Sequence, residues 1–184
     1  MNDALDTRTG LPDALQYLIA EYPRDIWTSH RNFDGLTRFW LSRHLEFRRG
    51  LALMQDEARK TLGGATDAPR GLHTLARISM FMAEALHGHH YMEDTHYFPQ
   101  FTAIEPGLDH GFTLLDADHH ALDSHIHTME TRTQALGDAT TPLADRIGPL
   151  LDHLNRFETF LDQHLTDEED LIVPIILKHG PAIS

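Results

Sequence analysis

"HHYMEDTHYFP", residues 89–99, places three histidines, a glutamate and an aspartate within eleven positions. It closes a segment in which Leu72, Leu75, Met82 and Leu86 recur at helical spacing. Counting about 100° per residue, His89 lies on that apolar stripe. Glu93 is displaced from it by about 40° and His96 by about 20°. His90, Asp94 and His87 fall about 100°, 140° and 160° away and are expected to face outward or sideways. Polar groups on a core stripe are costly unless they are paired or bind something. The reading of this stretch therefore depends on what the other helices bring to the same place.

Three further long segments carry the same periodicity. Phe33, Trp40, Phe47, Leu51 and Met54 form one stripe, with His44 between Trp40 and Phe47. Phe112, Leu115, Leu122, Ile126 and Met129 form another, which includes His119 but not His120 or His127, and leaves His125 on the far side. The last carries Leu150, Leu154, Phe157, Leu161, Leu171 and Ile175, and passes through His164 and Glu168 but not Glu169 or Asp170. Residues 11–22 read as a short helix between Pro12 and Pro23. Loops are expected at 63–71, about 99–111 and 137–142, where Thr141 and Pro142 offer an N-cap and a first-turn proline. With little strand-like alternation, the pattern predicts an all-α fold: an up-down-up-down antiparallel four-helix bundle with a short N-terminal helix. The expected organisation is an N-terminal helix and extension over 1–24, the bundle over 25–180 and a tail over 181–184.

Height along such a bundle tests the four histidines together. Residues on antiparallel neighbours are level when they are equally far from the connecting loop. His44 and His89 have their midpoint at 66.5, His89 and His119 at 104, and His119 and His164 at 141.5, each close to the centre of its loop. His30 and His153 lie on stripes but fourteen and eleven residues away, roughly 21 Å and 16 Å at the helical rise. They are read as satisfied polar residues near the bundle ends. His73 falls on the face opposite His89. An offset of 75 also maps His44 onto His119, His89 onto His164, Glu93 onto Glu168 and Pro99 onto Pro174. Each helix pair thus supplies a histidine and a His-x-x-x-Glu. Two carboxylates between histidines in a bundle core are what a carboxylate-bridged dinuclear site requires.

Composition narrows the metal and the partners. The chain has 184 residues, 41% of them hydrophobic, and a net charge of −13. That balance disfavours nucleic acid and anionic membrane surfaces as partners. No apolar run approaches the length of a membrane span, and "MNDALDTRTG" lacks the features of a signal peptide. The cytoplasm is the expected location. With no cysteine, ligands are limited to nitrogen and oxygen, which ranks iron ahead of manganese and zinc.

At this point the sequence resembles the hemerythrin-like (HHE cation-binding) family, from about residue 30 to 178. "HHYMEDTHYFP" and "HLTDEEDLIVP" both fit the family's His-x-x-x-Glu with a proline ten residues after the histidine. "DHHAL" (118–122) and "HLEF" (44–47) resemble its single-histidine helices. The resemblance implies a non-haem di-iron site of the oxo- or hydroxo-bridged kind, with Glu93 and Glu168 bridging. It departs from the oxygen-carrying members, which have His-x-x-x-His on the third helix; here the position four residues after His119 is Asp123. The expected metal ligands are His44, His89, Glu93, His119, His164 and Glu168, with His96 and Asp123 as weaker candidates. Four histidines would leave an open position on one or both metals.

The leading expectation is a di-iron protein that meets O2, peroxide or nitric oxide in sensing, in reactive-oxygen or nitric oxide response, or in iron handling. The apolar wall of Trp40, Phe47, Leu122, Phe157 and Leu161 would limit water access. One alternative is a peroxidase-like or oxidase enzyme at the same centre, though no additional acid–base constellation is present. The other is a structural bundle whose metal only stabilises the fold. His87, His90, His120, His125 and His127 are expected on the surface, where they could take up metal adventitiously.

Overall fold

The computed structural model describes residues 4–33 and 35–180. The tail expected at 181–184 lies outside the described residues. Those described are mostly helical, with no strand among them. The α-helices are α1 (Tyr17–Glu21), α2 (Gly35–Leu62), α3 (Ala68–Met92), α4 (Phe98–Ile104), α5 (Asp109–Ala135) and α6 (Leu143–His179). No helix among the described residues is long and apolar enough to cross a membrane.

Local chemistry sets the boundaries. Beyond α2, Gly64 takes φ +73°, while Ala65 N–H reaches Lys60 O at 2.9 Å and Gly64 N–H reaches Thr61 O at 3.3 Å. This pair of bonds is a Schellman ending, which needs a residue that tolerates the left-handed region. Asp67 then caps α3 by accepting from Arg70 N–H at 3.2 Å, so the expected loop 63–71 ends early. Thr141 does not cap α6. Its hydroxyl donates to Asp138 at 2.7 Å, and Asp145 N–H returns to Pro142 O. The expected helix over 11–22 is broken into a 3-10 turn at Asp13–Leu15 and α1, and a second 3-10 segment runs over Arg24–Ser29.

The largest departure follows α3. Residues Glu93–Tyr97 form a π-helical turn leading directly into α4, and a 3-10 turn at Pro106–Leu108 precedes α5. The connection expected as an open loop is therefore helical. Pro99 lies at the second position of α4, directly after the π-turn.

Two compact units share the four long helices. Among the described residues, the first comprises 4–33, 35–45, 90–121 and 162–180, the second 46–89 and 122–161. In the first, Leu11, Leu15, Leu18, Trp40, Phe98, Phe101, Phe112, Leu115, Leu171 and Ile175 form one buried cluster. Trp27, Val173 and Leu177 form a smaller one. The N-terminal segment thus contributes directly to the core. A Cβ added at Gly111 would stand 2.8 Å from Leu171 Cδ2, a measure of how closely α5 meets α6 here. The second unit buries Phe47, Leu51, Met54, Leu75, Met82, Leu86, Leu122, Ile126, Met129, Leu150, Leu154 and Phe157. Among its buried polar groups, Thr133 Oγ1 donates to Ser79 Oγ at 2.7 Å, and Gln55 Nε2 to Glu158 Oε2 at 2.8 Å.

Candidate metal centre

Helices α2, α3, α5 and α6 and the π-turn each deliver polar side chains that could hold a metal. Two groups result. His90, His119 and His164 form one; His44, Glu93 and Glu168, with His89 immediately before His90, form the other. Within each group, one ligand atom from every residue lies within 4.8 Å of the rest. All six residues expected as principal ligands are brought together.

The two glutamates face both groups. Glu168 Oε1 is 3.3 Å from His44 Nε2, and its Oε2 is 3.5 Å from His164 Nε2. Glu93 Oε2 is 3.4 Å from His119 Nε2. Two ligand atoms each about 2.1 Å from one cation sit about 3–3.5 Å apart, so these separations suit atoms sharing a metal. His119 Nε2 and His164 Nε2 are buried and make no hydrogen bond. The rings crowd accordingly: His90 stacks on His119 at 4.1 Å between centroids, and His119 meets His164 edge-on at 4.9 Å.

The opposite edge of three imidazoles is held by carboxylates. His44 Nδ1 lies 3.0 Å from Glu169 Oε1, His119 Nδ1 2.8 Å from Asp94 Oδ1, and His164 Nδ1 3.3 Å from Asp118 Oδ2. A carboxylate on Nδ1 fixes ring orientation and leaves Nε2 as the basic donor, the usual arrangement of a metal-binding histidine. The 75-residue offset extends to this layer, because it maps Asp94 onto Glu169 as it maps His44 onto His119. Each of these two acids backs the histidine from the other half of the repeat. Trp40 Nε1 donates to Glu168 Oε1 and fixes that carboxylate.

The protonation of the metal-free cluster shows the strain of so much buried charge. Burial, reinforced by the charge of Glu168, pushes the Glu93 carboxyl well above its ordinary range. For His44 burial opposes protonation, but Glu168 and Glu169 outweigh it and push the imidazole up to about 9. Burial also lowers His164, against the pull of Asp118. Two carboxylates this close cannot both ionise cheaply without positive charge between them. A cation supplies it.

The hemerythrin HHE cation-binding domain model matches residues 35–176. The chain belongs to that family. No curated protein and no solved structure matches it. Cation binding is therefore a property of the family as well as of the donor set. Five imidazoles and two carboxylates, with no thiolate, fit iron, manganese or zinc.

For a member of the hemerythrin HHE family, the outward expectation for His90 needs correction: it is buried and belongs to the three-histidine group. The angular test assumed one centre facing the middle of the stripe. Neighbours 100° apart can instead each reach one of two adjacent groups. His96 is displaced in the opposite sense. The π-turn fits one more residue into a revolution, and His96 ends exposed, its Nε2 3.1 Å from Gln100 Nε2. Asp123 is exposed and 3.4 Å from His87. His87, His120 and His127 are exposed as expected, but His125 is half-buried against Phe157. His30 and His153 are satisfied as expected, through Asn32 N–H at 3.2 Å and His125 O at 2.8 Å.

Proposed function

We propose that the protein holds two iron ions within an up-down-up-down four-helix bundle and presents them to O2, peroxide or nitric oxide. His44 and His89 would serve one ion, His90, His119 and His164 the other, and Glu93 and Glu168 would span both. The observation that carries this reading is the placement of two glutamates at 3.3–3.5 Å from histidine nitrogens of both groups. Bound iron supplies reversible one-electron chemistry and affinity for small ligands.

The protein's part is to bind, orient and keep dry. Glu93 and Glu168 supply the compensating negative charge, and Trp40 holds Glu168 in place. The carboxylates on Nδ1 present three histidines with their Nε2 atoms toward the glutamates. Trp40 and Phe98 limit water, both being buried and Phe98 stacked on His119 at 5.5 Å. The donor sets are unequal, two histidines against three. The His44–His89 side has fewer protein donors and is the place for a small ligand. With His90 included, the histidines number five in place of the expected four.

The test is anaerobic loading with ferrous iron followed by exposure to air and, separately, to nitric oxide. The reading expects a near-ultraviolet and visible absorption change with each, lost in Glu168→Ala. Two bound irons with no optical response, coupled to a sharp fall in Tm on iron removal, would instead assign the metal a purely structural role. Sustained hydrogen peroxide turnover would move the reading to a peroxidase-like enzyme.

A further inference from the structure

Two of the acids behind the histidines are themselves gripped by arginines from the N-terminal segment, which lies outside the residues matched by the family model. Arg8 Nη1 donates to Asp118 Oδ1 at 2.6 Å, Nη2 donates to Asp118 Oδ2, and Nε donates to Asp167 Oδ2 at 2.8 Å. Asp118 Oδ2 in turn meets His164 Nδ1. Arg24 Nη1 donates to Glu169 Oε2 at 2.8 Å, and the other oxygen of Glu169 meets His44 Nδ1. Arg24 is tied at its remaining nitrogens to Asp170 Oδ1 at 2.7 Å and Thr166 O at 3.1 Å. The result is two parallel chains, Arg8–Asp118–His164 and Arg24–Glu169–His44.

The geometry points to Arg8 and Arg24 as positioning residues that orient His164 and His44 for the metal through Asp118 and Glu169. This inference rests on the metal-binding reading above.

Burial explains why arginine is needed at these positions. The Asp118 and Glu169 side chains are 3% and 6% exposed, whereas Asp94, behind His119, is 30% exposed. Water can support the charge of Asp94. A carboxylate removed from water must be paired to stay ionised, and only the ionised form accepts the Nδ1 proton while leaving Nε2 free to donate its lone pair to a metal. Arginine's planar fork meets both oxygens of Asp118 at once, which also fixes the plane in which that acid meets His164. Arg8 is 5% exposed and Arg24 44%, so the larger effect is expected at Arg8. The extension thereby acts on the centre as well as on the core: Leu11, Leu15 and Leu18 anchor it in the apolar cluster, and the two arginines carry its contact on to the histidines.

The test uses the full chain, loaded anaerobically with ferrous iron and then mixed with excess of a ferrous chelator. Wild type should release two irons slowly. Arg8→Ala should release one of them about 10–100-fold faster, the usual cost of losing a partner behind a metal ligand, and Arg24→Ala should do so less strongly. Arg8→Lys, which keeps the charge without the fork, should fall between Ala and wild type. Leu11→Ala loosens the same segment through the core, and should lower Tm without changing the release rate. Arg8→Ala combined with Asp118→Asn removes the Asp118 charge together with its partner, and should release no faster than Asp118→Asn alone. Wild-type release kinetics in Arg8→Ala, or acceleration equal to that of Leu11→Ala, would overturn the inference while leaving the metal centre intact. A wild type holding no pair of cations overturns both.

Discussion

The molecule buries histidines in two places, and the contrast between them separates a binding site from packing. In the second unit His153 is 4% exposed, as buried as His119 at 3%. Its Nε2 is spent on His125 O at 2.8 Å, its ring lies with those of His125 and Phe157, and burial lowers both histidines toward the neutral form. In the first unit the Nδ1 atoms of His44, His119 and His164 meet acids while the Nε2 atoms turn toward Glu93 and Glu168. Equal burial thus has opposite chemical consequences. A neutral histidine among phenyl rings fills space; a histidine with a carboxylate on its far edge is oriented to donate.

The sharpest way to break this contrast is Glu168→Ala. It removes oxygens within reach of both histidine groups, and bound iron measured by elemental analysis should fall to well below one per chain. Next comes His90→Ala, which should reduce iron to about one per chain; His120→Ala, one residue after His119 but exposed, is the control and should keep wild-type iron. His153→Ala should behave in the opposite way. It forfeits a buried hydrogen bond and packing, costing about 1–3 kcal/mol in chemical denaturation, while iron content stays unchanged. A loss of iron there would erase the distinction between the two places.

A smaller effect is expected from pH. His44, pushed up to about 9 in the metal-free protein, binds its proton more tightly folded than unfolded. Its stabilising contribution is complete below the ordinary value near 6.5 and is lost as pH rises through about 9. The Tm of the metal-free protein, followed by circular dichroism, should therefore fall between pH 6.5 and 9.5, and fall less in His44→Gln. The smallest effect belongs to His96→Ala, for which neither iron content nor Tm should change appreciably.

Much of the candidate site was legible because periodicity and level are both geometric. Apolar spacing assigned four long helices, and distance from the loops brought His44, His89, His119 and His164 to one height with Glu93 and Glu168. Four things were not legible, each for a physical reason. His90 was missed because one angular stripe describes one centre, whereas two adjacent groups widen the useful arc. His96 was over-read because a π-turn changes the angle per residue, and nothing in the sequence "EDTHY" announces it. Asp94, Asp118 and Glu169 lie off the apolar stripes, where acids are ordinarily solvated. Arg8 and Arg24 sit in a segment whose 3-10 turns carry no helical period. The repeat did hold a signal for part of this, since the offset of 75 pairs Asp94 with Glu169 as it pairs the glutamates.

Titration of the metal-free protein with ferrous iron under anaerobic conditions, with free iron followed by a chelating dye, tests the central claim most directly. Two adjacent groups sharing Glu93 and Glu168 predict tight uptake with a break at two irons per chain. A break at one, or uptake without a break, would contradict it.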